Sequence, residues 1–235
     1  MAPTTWLITG TSRGIGLALV ERLLQDPSNL VVAACRNPEK ASALQGLKDG
    51  SKGTLHVVKI DVNDAASIHA SFPEVASIVG EHGLDYLINN AGILEAEDRA
   101  FSMDTNIMVP QFVTNVVGPA VVSQVFVPLV EKSNKKTIIN VSSFLASIGH
   151  GMGAIYTSYS LTKTALNMLT YKQVQERPDL TIVLLDPGWV QTDMGGPGAP
   201  VTITECIDGI TKVVGSLTHA DSGAYVRYNG ERLPW

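Results

Sequence analysis

Short apolar runs rich in Val, Ile and Leu recur along the chain at 6–9, 30–34, 55–60, 84–88, 137–141 and 181–185. Longer segments with helix-compatible spacing lie at 15–25, 38–47, 65–79, 109–130, 158–175 and 203–216, and a last short strand is predicted near 224–228. This alternation predicts repeated βαβ units and a parallel sheet. The strand runs are apolar at successive positions rather than at every second one, as expected where helices cover both faces. The predicted fold is therefore α/β, a doubly wound parallel sheet. No linker, internal repeat or low-complexity tract divides the 235 residues, so 1–235 is read as one domain. The one shift in composition is the Gly/Pro-rich run at 195–200, which predicts a loop beside a site, part of a substrate loop near 190–203.

Composition narrows the partners. The 17 Lys+Arg against 22 Asp+Glu give a formal net charge of -5, and the basic residues form no stripe or tail. Nucleic acid and anionic membrane are poor matches for that balance. The apolar stretches are interrupted before the roughly 20 residues that cross a bilayer, so no membrane span is expected. The N-terminus runs straight into a strand with no leader-like pattern, and a cytoplasmic location is expected. Cys35 and Cys206 are too few for a disulfide framework, and the five histidines, His56, His69, His82, His150 and His219, show no metal-ligand spacing. No metal site is expected.

The first strand runs into Thr9-Gly10-Thr11-Ser12-Arg13-Gly14-Ile15-Gly16 and then directly into a helix. Glycines permit a tight turn and close backbone approach to a pyrophosphate, which the helix N-terminus favours electrostatically. Strand, turn and helix in this order predict a Rossmann-type dinucleotide site formed by Gly10, Ser12, Arg13, Gly14, Ile15 and Gly16. At the end of the second strand, where an acid would bind the ribose hydroxyls of NAD, the chain has Cys35-Arg36-Asn37. Arg36 offers a permanently charged planar donor array suited to a 2′-phosphate, and Arg13 can reach it from the other side. NADP(H) is the expected cofactor.

The glycine spacing, GxxxGxG, resembles that of the short-chain dehydrogenase/reductase family, and motifs further along the chain extend the resemblance over nearly its whole length. Tyr159-Ser160-Leu161-Thr162-Lys163 sets Tyr and Lys at i and i+4, on one face of a predicted helix. A phenol with a pKa of about 10 exchanges protons poorly near neutrality unless a cation stabilises its anion, and Lys163 is placed to be that cation. Tyr156 is a decoy, because the residue four places on is Ser160. The resemblance implies that Ser143, or its neighbour Ser142, orients the substrate oxygen. It also implies that Asn115 helps hold a water-linked proton relay to Lys163; a helix-kink stabiliser is the structural alternative. In the cofactor site it implies that Asp61 and Val62 lie near the adenine, although Asp61 could equally cap the helix near Asn63-Asp64. Asn89-Asn90-Ala91-Gly92 matches the family's NNAG segment, and Pro187, Gly188, Val190 and Thr192 its nicotinamide-positioning segment. The loop 149–153 looks enlarged relative to compact members.

Together these motifs imply an NADP-dependent enzyme that passes a hydride between the nicotinamide and a ketone or aldehyde carbonyl, with Asn115, Ser143, Tyr159 and Lys163 as catalytic residues. Cys35-Arg36-Asn37 and the segment 228–235 resemble the subgroup of sniffer-type carbonyl reductases and fungal norsolorinic-acid-type ketoreductases, which implies an aromatic or polyketide-like substrate. The alternatives are non-redox chemistry on the same fold, such as cyclisation or isomerisation, and a non-catalytic dinucleotide sensor. Family members often pair through helices corresponding to 109–130 and 158–175, so a homodimer or homotetramer is expected.

Overall fold

The computed structural model describes residues 2–151 and 153–235; Met152, within the loop expected at 149–153, lies outside them. Seven strands form one sheet: β1 (Thr4–Thr9), β2 (Asn29–Cys35), β3 (Thr54–Lys59), β4 (Tyr86–Asn89), β5 (Thr137–Val141), β6 (Thr181–Asp186) and β7 (Tyr225–Arg227). Their order is β3-β2-β1-β4-β5-β6-β7, and all six pairings are parallel. The chain builds outward from β1 in one direction and from β4 in the other. This reversal opens a crevice above the carboxyl ends of β1 and β4, where ligands of doubly wound sheets bind.

The helices are α1 (Gly14–Leu23), α2 (Ser42–Gly46), α3 (Ala65–Val79), α4 (Thr105–Phe112), α5 (Gly118–Val130), α6 (Thr157–Glu176) and α7 (Ile203–Ser216). Successive side chains of a strand point to opposite faces. Trp6, Ile8, Val31 and Ala33 accordingly pack with Leu19 and Val20 of α1 and with Ile207 and Ile210 of α7. Leu7, Val32, Ala34 and Val58 pack on the other face with Ile68 and Val75 of α3 and with Val122 and Phe126 of α5. Two apolar layers flank the sheet, which explains strands that are apolar at consecutive positions.

Two predicted helices differ from expectation. The segment 38–47 is a 3-10 turn, Pro38–Lys40, followed by the short α2, because Ala41 leaves helical geometry at φ −88, ψ 59. The helix expected at 109–130 starts earlier, where the Asp104 carboxylate accepts from the Asn106 N–H at 2.8 Å. It continues from α4 to α5 through a π-helical segment, Val113–Val117. Pro119 has no N–H to give, and the ladder passes it by a wider turn in which the Gly118 N–H bonds the Val113 carbonyl. The resulting helical run Thr105–Val130 is long and apolar enough to cross a membrane, which corrects the expectation that no such run exists. Its most apolar window is 56% buried, with α3 and α6 packed against it, the burial of a core helix.

Phe126 has no exposed surface and lies at the centre of the α3–α5 layer, 6.1 Å from the Phe72 ring. Phe126→Ala is expected to destabilise the fold by about 3–5 kcal/mol, read as a lower urea midpoint with little change in slope.

Candidate active site

A cleft of about 420 Å³ opens at the switch point and runs from the glycine turn to Tyr159 and Lys163. Its floor is set by how closely β1 and β4 deliver their loops. A Cβ on Gly16 would lie 2.3 Å from the Gly10 carbonyl oxygen, and one on Gly10 would lie 2.7 Å from the Ala91 Cα. No larger residue fits either place. Asn90 braces the turn: its Nδ2 donates to the carbonyls of Thr9 and Gly10 at 2.9 and 3.2 Å, while the Thr9 hydroxyl accepts from the N–H groups of Asn90 and Ala91.

Gly10, Ser12, Arg13, Gly14, Ile15, Gly16, Arg36, Asp61, Val62, Asn90, Ala91, Gly92, Pro187 and Thr192 all line this cleft. Arg36 is exposed at the mouth of the cleft. Arg13 is exposed as well, and its Nη1 lies 3.8 Å from the Asp193 carboxylate. Asp61 does not cap α3. That position belongs to Asp64, whose carboxylate accepts from the Ala66 N–H, while Asp61 accepts from the Asn63 N–H and faces the cleft.

Asn89 is a correction. Strand alternation turns its side chain away from the cleft, 2% exposed, and its Nδ2 donates to Ser123 at 3.0 Å and Asn140 at 2.8 Å. It ties β4 to α5 and β5 rather than touching a ligand. Gly188 and Val190 are likewise absent from the lining; Val190 is buried and bridged to Val201. The run 195–200 is folded: the Trp189 indole donates to the Gly195 carbonyl at 2.7 Å, and Gln191 donates to the Ala199 carbonyl at 3.0 Å.

At the other end of the cleft, α6 presents Tyr159 and Lys163, both buried. Tyr156, with φ 58, precedes the helix as its N-cap, and the first turn is held by Asp98. That carboxylate accepts from the Ser158 N–H at 3.0 Å and from the Ser158 hydroxyl. Thr164 ties the next turn to the Ala146 carbonyl at 2.9 Å, just beyond Ser143. Lys163 Nζ donates to the Val141 carbonyl at 2.8 Å and lies 5.7 Å from the Tyr159 ring centroid. Asn115 sits in the π segment and clasps Ile93 at both ends, accepting its N–H at 2.8 Å and donating to its carbonyl at 2.9 Å. Its Nδ2 also donates to Thr162 at 3.0 Å. Pro119 cannot donate to the Asn115 main-chain carbonyl four residues back, which loses its usual helical partner.

Electrostatics differ from the sequence expectation in one respect. Burial pushes the Tyr159 phenol well above its ordinary value; a hydrogen bond from Ser143 lowers it, and the nearby Asp186 and Tyr225 raise it further. In the protein alone, desolvation governs this group and Lys163 does not reverse it. A phenol kept protonated suits a proton donor. Burial also pushes Lys163 down, to about 8, so it stays largely charged at neutral pH.

A family model described as short chain dehydrogenase matches residues 4–199. The chain belongs to the short chain dehydrogenase family. This short chain dehydrogenase is 30% identical over 250 residues to the norsolorinic acid ketoreductase of Aspergillus parasiticus, covering 99% of this chain and 91% of that protein. Its fold is similar to that of the carbonyl reductase Sniffer of D. melanogaster, with TM-score 0.93 and 30% identity over 99% of this chain and all of the other. It is also similar to an NADPH-bound carbonyl reductase from chicken fatty liver, with TM-score 0.92 and 36% identity over the full length of both.

Several residues that shape the site escaped the sequence. Asp98 sits in a loop with no pattern to mark it, and Asn63, whose side-chain Oδ1 accepts from the Thr114 hydroxyl at 2.8 Å, is brought to the cleft only by the fold. Ile93, Glu95 and Met194 also line the cleft without any local signal.

Below pH 8 both the folded and the unfolded chain hold the Lys163 proton. Between about 8 and its ordinary 10.5 only the unfolded chain keeps it, so this group adds stability as pH rises. Cys206, raised from 9.0 to about 12, opposes it above pH 9. Relative to Lys163→Met, the unmodified protein should therefore gain stability between pH 8 and 10. Denaturation series on both proteins check this, and parallel curves would contradict it.

Proposed function

We propose that the protein is an NADP(H)-dependent reductase of ketone or aldehyde carbonyls, also able to run alcohol oxidation in reverse. The observation that carries this reading is the convergence, in one cleft, of a glycine turn too tight for any side chain, two exposed arginines and a buried Tyr159–Lys163 pair. The residues fit the cofactor. Backbone N–H groups at the start of α1 face the place for a pyrophosphate, and Arg36 with Arg13 supplies charge for a 2′-phosphate. When bound, the cofactor supplies a hydride to the carbonyl carbon.

The chain's own residues handle the oxygen. Ser143 orients it, and Tyr159, kept protonated by burial, gives it a proton. Lys163, fixed by the Val141 carbonyl and charged near neutrality, balances the negative charge left on the phenol. Asn115 holds the 93 loop against the π segment, and its main-chain carbonyl, to which Pro119 has no N–H to donate, takes one end of a water-linked proton path to Lys163. Asp61 and Val62 flank the adenine end, and Thr192 with the Pro187–Gly188 turn supports the nicotinamide end.

The same reading takes 1–235 as one working domain with a substrate loop near 190–203, acting on a small aromatic or polyketide-like carbonyl compound. The ketoreductase and carbonyl reductase relatives support that class. It carries with it a cytoplasmic homodimer or homotetramer paired through Thr105–Val130 and α6, where Val109, Val117, Leu161 and Met168 are exposed. Nucleic acid and membrane are not among its partners.

The deciding experiment is NADPH oxidation over a panel of aldehydes, quinones and aromatic ketones; no turnover on any of them would overturn the reading. Tyr159→Phe should cut kcat by at least about 10²–10⁴-fold while leaving NADPH binding nearly intact. Arg36→Asp should weaken NADPH by about 10–100-fold and NADH far less, measured by quenching titration, and equal effects would remove the 2′-phosphate assignment.

A further inference from the structure

We infer that the buried Asp186 carboxylate, paired with the half-buried Arg227 and joined by Tyr225, is a clamp that positions the Ser143 backbone beside Tyr159 and holds the Pro187–Gly188 turn in register with it. This rests on the carbonyl-reductase reading above. Asp186 ends β6, and Arg227 is its register partner on β7. The carboxylate has no exposed surface; one oxygen takes the Arg227 Nε at 2.9 Å. The other oxygen accepts two main-chain N–H groups at 3.1 Å each, from Phe144 and from Gly188. A single atom thus joins the exits of β5 and β6, one carrying the substrate-orienting serine and the other the turn beside the nicotinamide place.

The opposite end of the same peptide group is held as well. Tyr225 lies two residues before Arg227, on the same face of β7, and its hydroxyl donates to the Ser143 carbonyl. The peptide joining Ser143 to Phe144 is therefore gripped at its C=O by Tyr225 and at its N–H by Asp186. A peptide held at both its C=O and its N–H resists rotation, which fixes the Ser143 backbone, and the Ser143 Oγ is held in turn by the Leu145 N–H at 3.3 Å. Arg227 is itself fixed, by Glu231 at 2.9 Å and over the Phe144 ring at 5.7 Å.

Stability alone gives little reason to bury such a pair. Apolar side chains of similar volume in place of a buried ion pair often leave a fold as stable or more so. The pair also reaches Tyr159 through its charge, since Asp186 favours the protonated phenol. The other titratable or charged groups beside that phenol are Lys163 on α6 and Tyr225 on β7, and Glu95 and Asp193 lie elsewhere along the cleft.

The test compares Asp186→Ala, Asp186→Asn, Arg227→Gln and Tyr225→Phe with the unmodified enzyme. Asp186→Ala and Tyr225→Phe should each lower kcat for carbonyl reduction about 10–100-fold while the NADPH dissociation constant moves by less than about threefold. Asp186→Asn, which keeps an acceptor oxygen, should recover part of that loss. In alcohol oxidation, the pH of half-maximal rate should move down in Asp186→Asn and up in Arg227→Gln, opposite signs that a purely structural pair would not produce. Should Asp186→Ala fail to fold, Tyr225→Phe reads the same peptide from its other end. The clamp is overturned if Tyr225→Phe and Asp186→Asn keep unmodified kcat and pH profiles, or if kcat and NADPH affinity fall together in proportion. An unmodified enzyme that turns over no carbonyl overturns the reductase reading itself, a result distinct from variants that match an active parent.

Discussion

Burial of a phenol and an ammonium one helical turn apart on α6 is the constraint around which this protein is organised. Taking either group out of water disfavours its charged form, so the same desolvation that pushes Tyr159 up pushes Lys163 down. At neutral pH the result is a proton on each, which is what protonating a nascent alkoxide requires. An exposed Tyr-Lys pair at the same spacing would hold the same protons at neutral pH but would show neither shift.

Holding that pair in place draws on elements distant in sequence. Asp98, from the loop after β4, anchors the first turn of α6, and the Val141 carbonyl at the end of β5 fixes the lysine. The π segment between α4 and α5 turns Asn115 inward to clasp Ile93 and Thr162. A π turn inserts one extra residue into a helical ladder and so re-aims side chains without ending the helix. That allows a helix otherwise devoted to core packing to supply Thr114 and Asn115 to the site.

The cofactor end follows a different logic. There the backbone itself is the binding surface, and the requirement is an absence of side chains. Gly10 and Gly16 sit where a single added carbon would collide with main chain, and Asn90 fastens the turn from the neighbouring strand. The neighbouring Asn89 shows how narrow that assignment is: one step along β4 reverses the face, and an amide of the same type becomes a buried tie between β4, β5 and α5.

The alternating apolar runs, the glycine turn and the Tyr-x-x-x-Lys spacing were legible in the sequence because each is a local pattern: strand and helix periods, a turn only glycine can make, and two residues on one helical face. Arg36 was legible for the same reason, as a charge where an acid would otherwise stand. Asp98, Asp186, Arg227 and Tyr225 were not, since each acts on a partner tens of residues away and nothing in its own neighbourhood marks it. The start of the long helix at Thr105 and its π turn also escaped, because apolar spacing shows neither the Asp104 cap nor the wider turn before Pro119. Local chemistry is written in adjacent residues; burial, which sets the sign of the Tyr159 and Lys163 shifts and decides which carboxylates are paired, exists only once the strands are assembled.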